Sequence, residues 1–363
     1  MLTGRMRMGV CAALLIGSVI VCAGCGSNTE LEESNFPLAA MFDYEDGHYR
    51  MTLGMEQLSD VADEKATKEN HTGIALEGTD CYKLFEMADV SNPGKMDYNH
   101  MKALILNSRL LEDKAKMEEL FAFLEEQELI ARNTLLFVTD VSGKELMGMS
   151  EALKEPVGTY LDEMIASDIQ SKNRAAVTLG TFYNTWNNQN ENLYIPYLTA
   201  AKEKVLFEHY YLMQGRNAIG TVERTLGDMA LLTEQKLAHY GVELLSGELL
   251  KLSDITCRYE LEETDDGIAA TVYVRAEARQ MNGRIEGSGQ QNRMRREAEQ
   301  YLESSFQKAA EEMQERYDTD IANSFYLLGG YNRKAYRQYK EDWALYRRNL
   351  RVEYDWEIIP VNL

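Results

Sequence analysis

Three stretches near the end of the chain alternate apolar and polar residues with a period of two. In ITCRYELEE, Ile255, Cys257, Tyr259 and Leu261 alternate with Thr256, Arg258 and Glu260. In IAATVYVRAEAR, Ile268, Ala270, Val272, Val274, Ala276 and Ala278 alternate with Thr271, Tyr273, Arg275, Glu277 and Arg279. In LRVEYDWEI, Leu350, Val352, Tyr354, Trp356 and Ile358 alternate with Arg351, Glu353, Asp355 and Glu357. Successive side chains of a strand leave opposite faces, so these segments require a sheet with one dry and one wet face. The dry face needs a cover. AEQYLESSFQKAAEEMQERY supplies one, with Ala298, Leu302, Phe306, Ala309, Met313 and Tyr317 at helical spacings of three and four. The pattern predicts an antiparallel sheet covered by a long helix. Asp265-Asp266-Gly267 closes a hairpin between the first two strands, and Cys257 points inward.

The earlier part of the chain reads differently. Phe36 to Asp43 and His48 to Leu53 flank the turn Tyr44-Glu45-Asp46-Gly47, a hairpin signal. A helix follows Thr79, a suitable N-cap, with Cys81, Leu84, Phe85 and Ala88 on one face. MKALILN (101–107) and NTLLFVTD (133–140) are short buried-type strands, separated by a helix striped with Met117, Leu120, Phe121 and Leu124. That order predicts a partly parallel sheet. Residues 156–168 read as a helix after Pro156, and 171–196 as a strand with an Asn-rich loop over 187–192. Residues 331–349 read as one amphipathic helix. Its cluster of Arg333, Lys334, Arg337, Lys340, Arg347 and Arg348, with Arg351 beyond, is either a solvated face or a docking patch for an acidic partner or lipid headgroups. The expected class is α+β and multi-domain, with mixed and antiparallel sheets packed against helices. Residues 35–208 form an N-terminal α/β region, divisible near 150, and 209–363 a C-terminal α+β domain.

The chain begins with Arg5 and Arg7 and has no acid before Glu30. The apolar run Val10 to Ala23 is shorter than the roughly 20 residues that a spanning helix needs. Basic start, short apolar run and small residues at its end describe a secretory signal. Cys22-Ala23-Gly24 directly before Cys25 resembles a bacterial lipobox. In that pattern residues 1–24 are the leader, Cys22, Ala23 and Gly24 are read by the signal peptidase, and Cys25 carries a diacylglyceryl group. Two acyl chains hold a protein stably where one does not. Residues 25–34 are then a polar, flexible tether. A CxxC redox or metal motif lacks its βαβ context here, and a retained signal anchor is the remaining alternative.

With 59 acidic against 38 basic residues and a net charge of −21, the surface as a whole repels nucleic acid and anionic lipid headgroups alike, and the body is not expected to lie flat on an anionic leaflet. Cleavage would remove two arginines and no acid, making the balance more negative still. Cys81 and Cys257 are too few for a disulfide-stapled domain and read as buried thiols in different domains, with one bridge between them as the alternative. His48, His71, His100, His209 and His239 show no paired ligand spacing, so no metal is expected. No nucleophile elbow, Walker loop, dinucleotide fingerprint or zinc-protease motif occurs. Neither a catalytic residue nor a cofactor is expected.

Several blocks in order carry a resemblance: FPLAAMFDYEDGHYRMTL after the lipobox, HMKALILNSRLLEDK with LFAFLEEQELIARNTLLFVTD, then PVGTYLDEMI and LYIPYL, and the terminal RYDTDIANSFYLLGGYNRKAYRQYKEDWALYRRNLRVEYDWEI. Together they resemble the Ger(x)C family, the lipoprotein C subunits of spore germinant receptors, over nearly the whole mature chain. In the terminal block that family has a helix, an Asp, a short loop, a Trp-containing helix and a last strand. The resemblance implies a three-domain, non-enzymatic α+β subunit, lipid-anchored on the extracytoplasmic face of the spore inner membrane. Its partners would be two integral membrane germinant receptor subunits, one transporter-like and responsible for germinant binding. The alternative is a solute-binding lipoprotein of a membrane transporter, which would need two βαβ lobes around a cleft.

Overall fold

The computed structural model describes residues 34–56, 73–91, 94–170, 176–188, 191–201, 204–265, 267–283, 287–340 and 342–361. β1 (Ser34–Glu45) and β2 (His48–Glu56) pair antiparallel up to Glu45↔His48. Asp46 and Gly47 between them both have positive φ, 53° and 82°, the turn whose twist matches its strands. β3 (Ile74–Gly78) pairs with β2. α1 (Cys81–Ser91) buries Cys81, Leu84, Phe85 and Ala88 as the spacing required. Its cap is Asp80, not Thr79: Asp80 Oδ1 accepts from Lys83 N at 2.9 Å.

β4 (Lys95–Met96), β5 (Ala103–Asn107) and β6 (Leu135–Thr139) follow. Every residue of β5 and β6 is buried, and β1, β5 and β6 run parallel. α2 (Ser108–Glu112) and α3 (Lys114–Gln127) cross between β5 and β6, α3 burying Met117, Leu120, Phe121 and Leu124. After β6 come α4 (Gly143–Gly148), α5 (Ser150–Leu153), α6 (Val157–Gln170) and α7 (Leu179–Trp186). Alternate strand residues face two cores. Leu104, Leu106, Leu136 and Val138 meet α1, α3 and α7, while Ile105 and Phe137 meet α4 and α6. Within 171–196, read from the sequence as a strand with an Asn-rich loop, α7 forms and a strand begins only at Asn192. The start of α7 is fixed by a capping box in which Thr178 and Thr181 exchange side-chain and backbone hydrogen bonds.

β7 (Asn192–Ala201) lies parallel to β6, and β8 (Lys204–Gln214) and β9 (Asn217–Glu223) complete an antiparallel meander. Among the described residues nine strands form this sheet, ordered β3-β2-β1-β5-β6-β7-β8-β9 with β4 beside β1. The expected boundary between 208 and 209 falls inside β8.

α8 (Arg224–Thr233) leads to β10 (Tyr240–Glu243), β11 (Leu249–Thr264), β12 (Gly267–Gln280) and α9 (Ser288–Tyr317). α10 (Ser324–Tyr331), α11 (Arg333–Lys340), α12 (Trp343–Asn349) and β13 (Leu350–Pro360) follow. The single helix expected over 331–349 is two, α12 being restarted by Asp342, whose Oδ1 accepts from Leu345 N at 2.9 Å. The second sheet is ordered β10-β11-β12-β13. Its first two pairings are antiparallel, as the alternation suggested. The third is parallel, from Ile268↔Leu350 to Ala278↔Pro360, so the sheet is mixed rather than wholly antiparallel. The reason is length. The 30 residues of α9 cover ~45 Å, and the 14 of β12 cover about as much. The helix therefore carries the chain back to the end where β12 began.

α9 buries every residue of the expected stripe, and Met294 and Ala310 besides. Phe306 sits at its centre, edge-on to Tyr354 at 5.2 Å and to Trp356 at 4.9 Å. The same core takes in Tyr194, Tyr210 and Leu212 from the first sheet, so the two sheets are joined through a common apolar interior.

Candidate functional site

Cys22, Ala23, Gly24 and Cys25 lie outside the described residues. What the structure does give is the end from which the chain leaves them: β1 opens at Ser34, parallel to β7, which opens at Asn192. Ala39, Ala103, Leu135 and, by extension of the β6–β7 register, Tyr194 stand level across the sheet. Ser34 and Asn192 therefore mark the same end of it.

Against that end sits the most polar part of the interior. α9 stops at Asp318, which caps it in the left-handed conformation (φ 51°). The chain then turns around the buried Asp320. Its carboxylate accepts from Ala322 N at 2.9 Å, Ser324 N at 2.5 Å and Ser324 Oγ at 2.6 Å. Ser324 Oγ lies 2.5 Å from Tyr346 Oη of α12. Asn192 Nδ2 donates to the Asp320 carbonyl at 2.9 Å and its Oδ1 accepts from Gln214 Nε2 at 3.2 Å. Burial raises the Asp320 pKa, and the donors of Ser324 and Ala322 oppose it. This carboxylate is occupied by the fold: it joins the first sheet, the α9–α10 corner and α12. None of these residues follows an apolar period, and an isolated Asp before Ile321-Ala322 was the only trace of them in the sequence.

Beside this junction Glu234, just beyond α8, has a side chain only 5% exposed, with Lys236 Nζ 2.6 Å from Oε2. Burial pushes its carboxyl up to about 7, and Lys236 acts in the opposite sense. It lines a cavity of about 240 Å³ with Glu191, Tyr259, Asn323 and Tyr326.

A second polar cluster lies at the carboxyl ends of β1 and β5, where open α/β sheets commonly hold ligands. Arg109 Nη2 pairs with Asp43 Oδ2 at 2.6 Å and Nη1 with Glu45 Oε1 at 2.5 Å. Arg50 bridges Glu45 and Glu77. The Arg109 guanidinium holds the Glu45 carboxyl below its ordinary range. These groups, with Ser142 and Lys144, line a crevice of about 290 Å³. The two guanidiniums are already spent on three carboxylates, so the cluster locks the β1–β2 hairpin to the start of α2.

The cationic residues singled out from the sequence divide. Arg347 is engaged, its Nη1 2.5 Å from Asp318 Oδ2. Arg333, Lys334, Arg337 and Lys340 are exposed on α11, and Arg348 and Arg351 are exposed beyond it. Tyr326 and Tyr331 of α10 are 65% and 62% exposed.

Cys81 and Cys257 are free and belong to different cores, and burial pushes each thiol up to about 12. His100 packs edge-on against Phe36, and His48 Nδ1 lies 3.0 Å from the Asp46 carbonyl. Among the described residues no group of three or more His, Cys, Asp or Glu is placed to hold a metal, and no helix is long and apolar enough to cross a membrane.

A family model described as the spore germination protein N-terminal domain matches residues 27–200. The fold is similar to the crystal structure of the GerBC protein, with a TM-score of 0.58 at 11% identity, covering 89% of this chain and 97% of that one. No curated protein sequence matches the chain.

Proposed function

Since the chain belongs to the Ger(x)C family of spore germination proteins, we propose that it is the lipid-anchored C subunit of a nutrient germinant receptor in the spore membrane. In this reading residues 1–24 are removed and Cys25 carries the diacylglyceryl anchor. The body works outside the membrane with two integral membrane subunits, one of them transporter-like. It contributes binding surface and performs no reaction of its own.

The observation that carries the reading is the family match beginning at residue 27, two positions after Cys25, with the α+β fold continuing beyond it as in GerBC. The junction around Asp320 suits such a role, because it fixes the relative orientation of the first sheet and the helices that display the charged surface.

The test has two arms. Metabolic palmitate labelling of the wild type and of Cys25→Ala reports the anchor: label present in the first and absent from the second is expected. Deletion of this subunit and its paralogues in the spore-forming host reports the role, with loss of nutrient-triggered germination expected. Germination at the wild-type rate after that deletion would sink the receptor assignment, whatever the labelling gives.

A further inference from the structure

α11 separates its charges from its packing. At 100° per residue, Arg333, Arg337 and Lys340 fall on one line of the helix with Lys334 beside it, while the buried Ala335 and Tyr339 face the other way. None of these four cations has an ion-pair partner among the described residues, and Arg348 of α12 adds a fifth exposed charge. In a chain whose net charge is −21, that is a local reversal of sign.

Its position is fixed by hydrogen bonds already described. Asn192 at the head of β7 holds Asp320, α10 begins four residues later, and α11 follows α10 after Asn332 alone. β1 opens at the same end of the sheet, three strand spacings from β7, or ~14 Å. Eight residues lie between Cys25 and Ser34, a reach of at most ~30 Å. The cationic helix and the point where the chain departs toward Cys25 are thus on one side of the molecule.

We propose that the cationic face of α11, with Arg348, rests on anionic lipid headgroups of the membrane in which Cys25 is anchored. The openings of β1 and β7 then face the bilayer. The proposal rests on the anchor reading above. An acidic body held close to an anionic leaflet is repelled over a Debye length of about 10 Å at 0.1 M salt, so the face with opposite charge turns toward the lipid. Tyr326 and Tyr331, exposed on the adjoining helix, have the amphipathic character that settles at headgroup depth.

The lipidated full-length chain, reconstituted into vesicles, gives the test. One set is phosphatidylcholine alone and the other contains about a third phosphatidylglycerol. Flotation reports the anchor, and backbone hydrogen exchange over residues 333–348 reports the face. Exchange several-fold slower in the anionic vesicles is expected, reverting in about 0.5 M salt, where screening shortens to a few ångströms. It should also revert in Lys334→Glu/Arg337→Glu, whose side chains are exposed and whose circular dichroism should be unchanged. Equal exchange in both vesicles, with the protein floating in both, overturns the proposal and leaves the anchor standing. Protection appearing only when other membrane proteins are added overturns it in favour of an acidic protein partner. Failure to float on phosphatidylcholine overturns the anchor, and the proposal with it.

Discussion

Gly227 of α8 lies directly against the ring of Tyr210 on β8: a Cβ at that glycine would stand 2.3 Å from the ring's Cδ2. The phenol of Tyr210 continues past the helix backbone to Asp228, donating to Oδ1 at 2.6 Å. This contact presses α8 onto the first sheet and lets one core serve both sheets.

Replacing that glycine is therefore costly. Gly227→Ala gains up to ~1 kcal/mol of helix propensity, but overpacking against a buried ring costs about 1–3 kcal/mol. A net loss of roughly 1–2 kcal/mol in urea unfolding is expected. A variant as stable as the wild type would show that α8 is not held there.

The amide of Asn192 is the second test of the join. Asn192→Leu keeps the branching and removes the hydrogen bond to the buried Asp320 carbonyl and the one accepted from Gln214 Nε2. Buried groups left unsatisfied cost about 1–3 kcal/mol, read as a lower urea midpoint. Slower hydrogen exchange at the α9–α10 corner in this variant would contradict the assignment.

Glu234 makes stability depend on pH with a definite sign. Its folded pKa of about 7 exceeds the ordinary carboxyl value, so between pH ~4.5 and 7 the folded chain binds more protons than the unfolded one. This group's contribution is then fully favourable below that window and declines as pH rises through it, by about 3 kcal/mol in all. Asp320, raised by burial as well, acts in the same direction. Glu234→Gln should flatten the decline and be the more stable protein at pH 8 in thermal melts; a steeper decline would contradict the burial argument.

Both thiols should be inert in the native state. With pKa values pushed up to about 12, Cys81 and Cys257 are overwhelmingly protonated at neutral pH, and the thiolate is the reactive form. Alkylation followed by intact mass should modify neither on the time scale of minutes in buffer and both in denaturant. A mass two units lower that resists alkylation in denaturant would reveal a bridge.

The sequence was most legible where burial imposes a period or a continuous run. ALILN and LLFVT are buried at every position because helices cover both faces of the central strands, and an unbroken apolar run is how such strands read. The stripe of α9 and the wet faces of β11, β12 and β13 were equally plain. Strand direction was not, since alternation is the same whichever way a strand enters; only the length of α9 decides that β13 lies parallel to β12. Residues 171–196 read as a strand with a loop, and the local Thr178–Thr181 capping box starts a helix over TFYNTW instead. The resemblance implied a short loop after the Asp of the terminal block, yet SFYLLGGY forms α10 there, packed through Phe325 and Leu328. The Asp320 junction was illegible for a different reason. Its residues are brought together from positions 192, 214, 320, 324 and 346, and single polar residues carry no periodic signal.

The parallel pairing of β12 with β13 has a consequence for how the protein comes into being. Ile268 waits for Leu350, roughly eighty residues further along the chain, and contacts so remote in sequence are slow to form. A polypeptide made from its N-terminus delivers β13 only after β12 and α9 are complete. Until β13 emerges, the inner edge of β12 and the apolar side of α9 have no lid, and the nascent chain must be shielded from its neighbours. Release of a truncated product ending before residue 350 should therefore yield aggregate rather than a smaller folded protein. The eleven residues of β13 act as the clasp that closes this half of the fold.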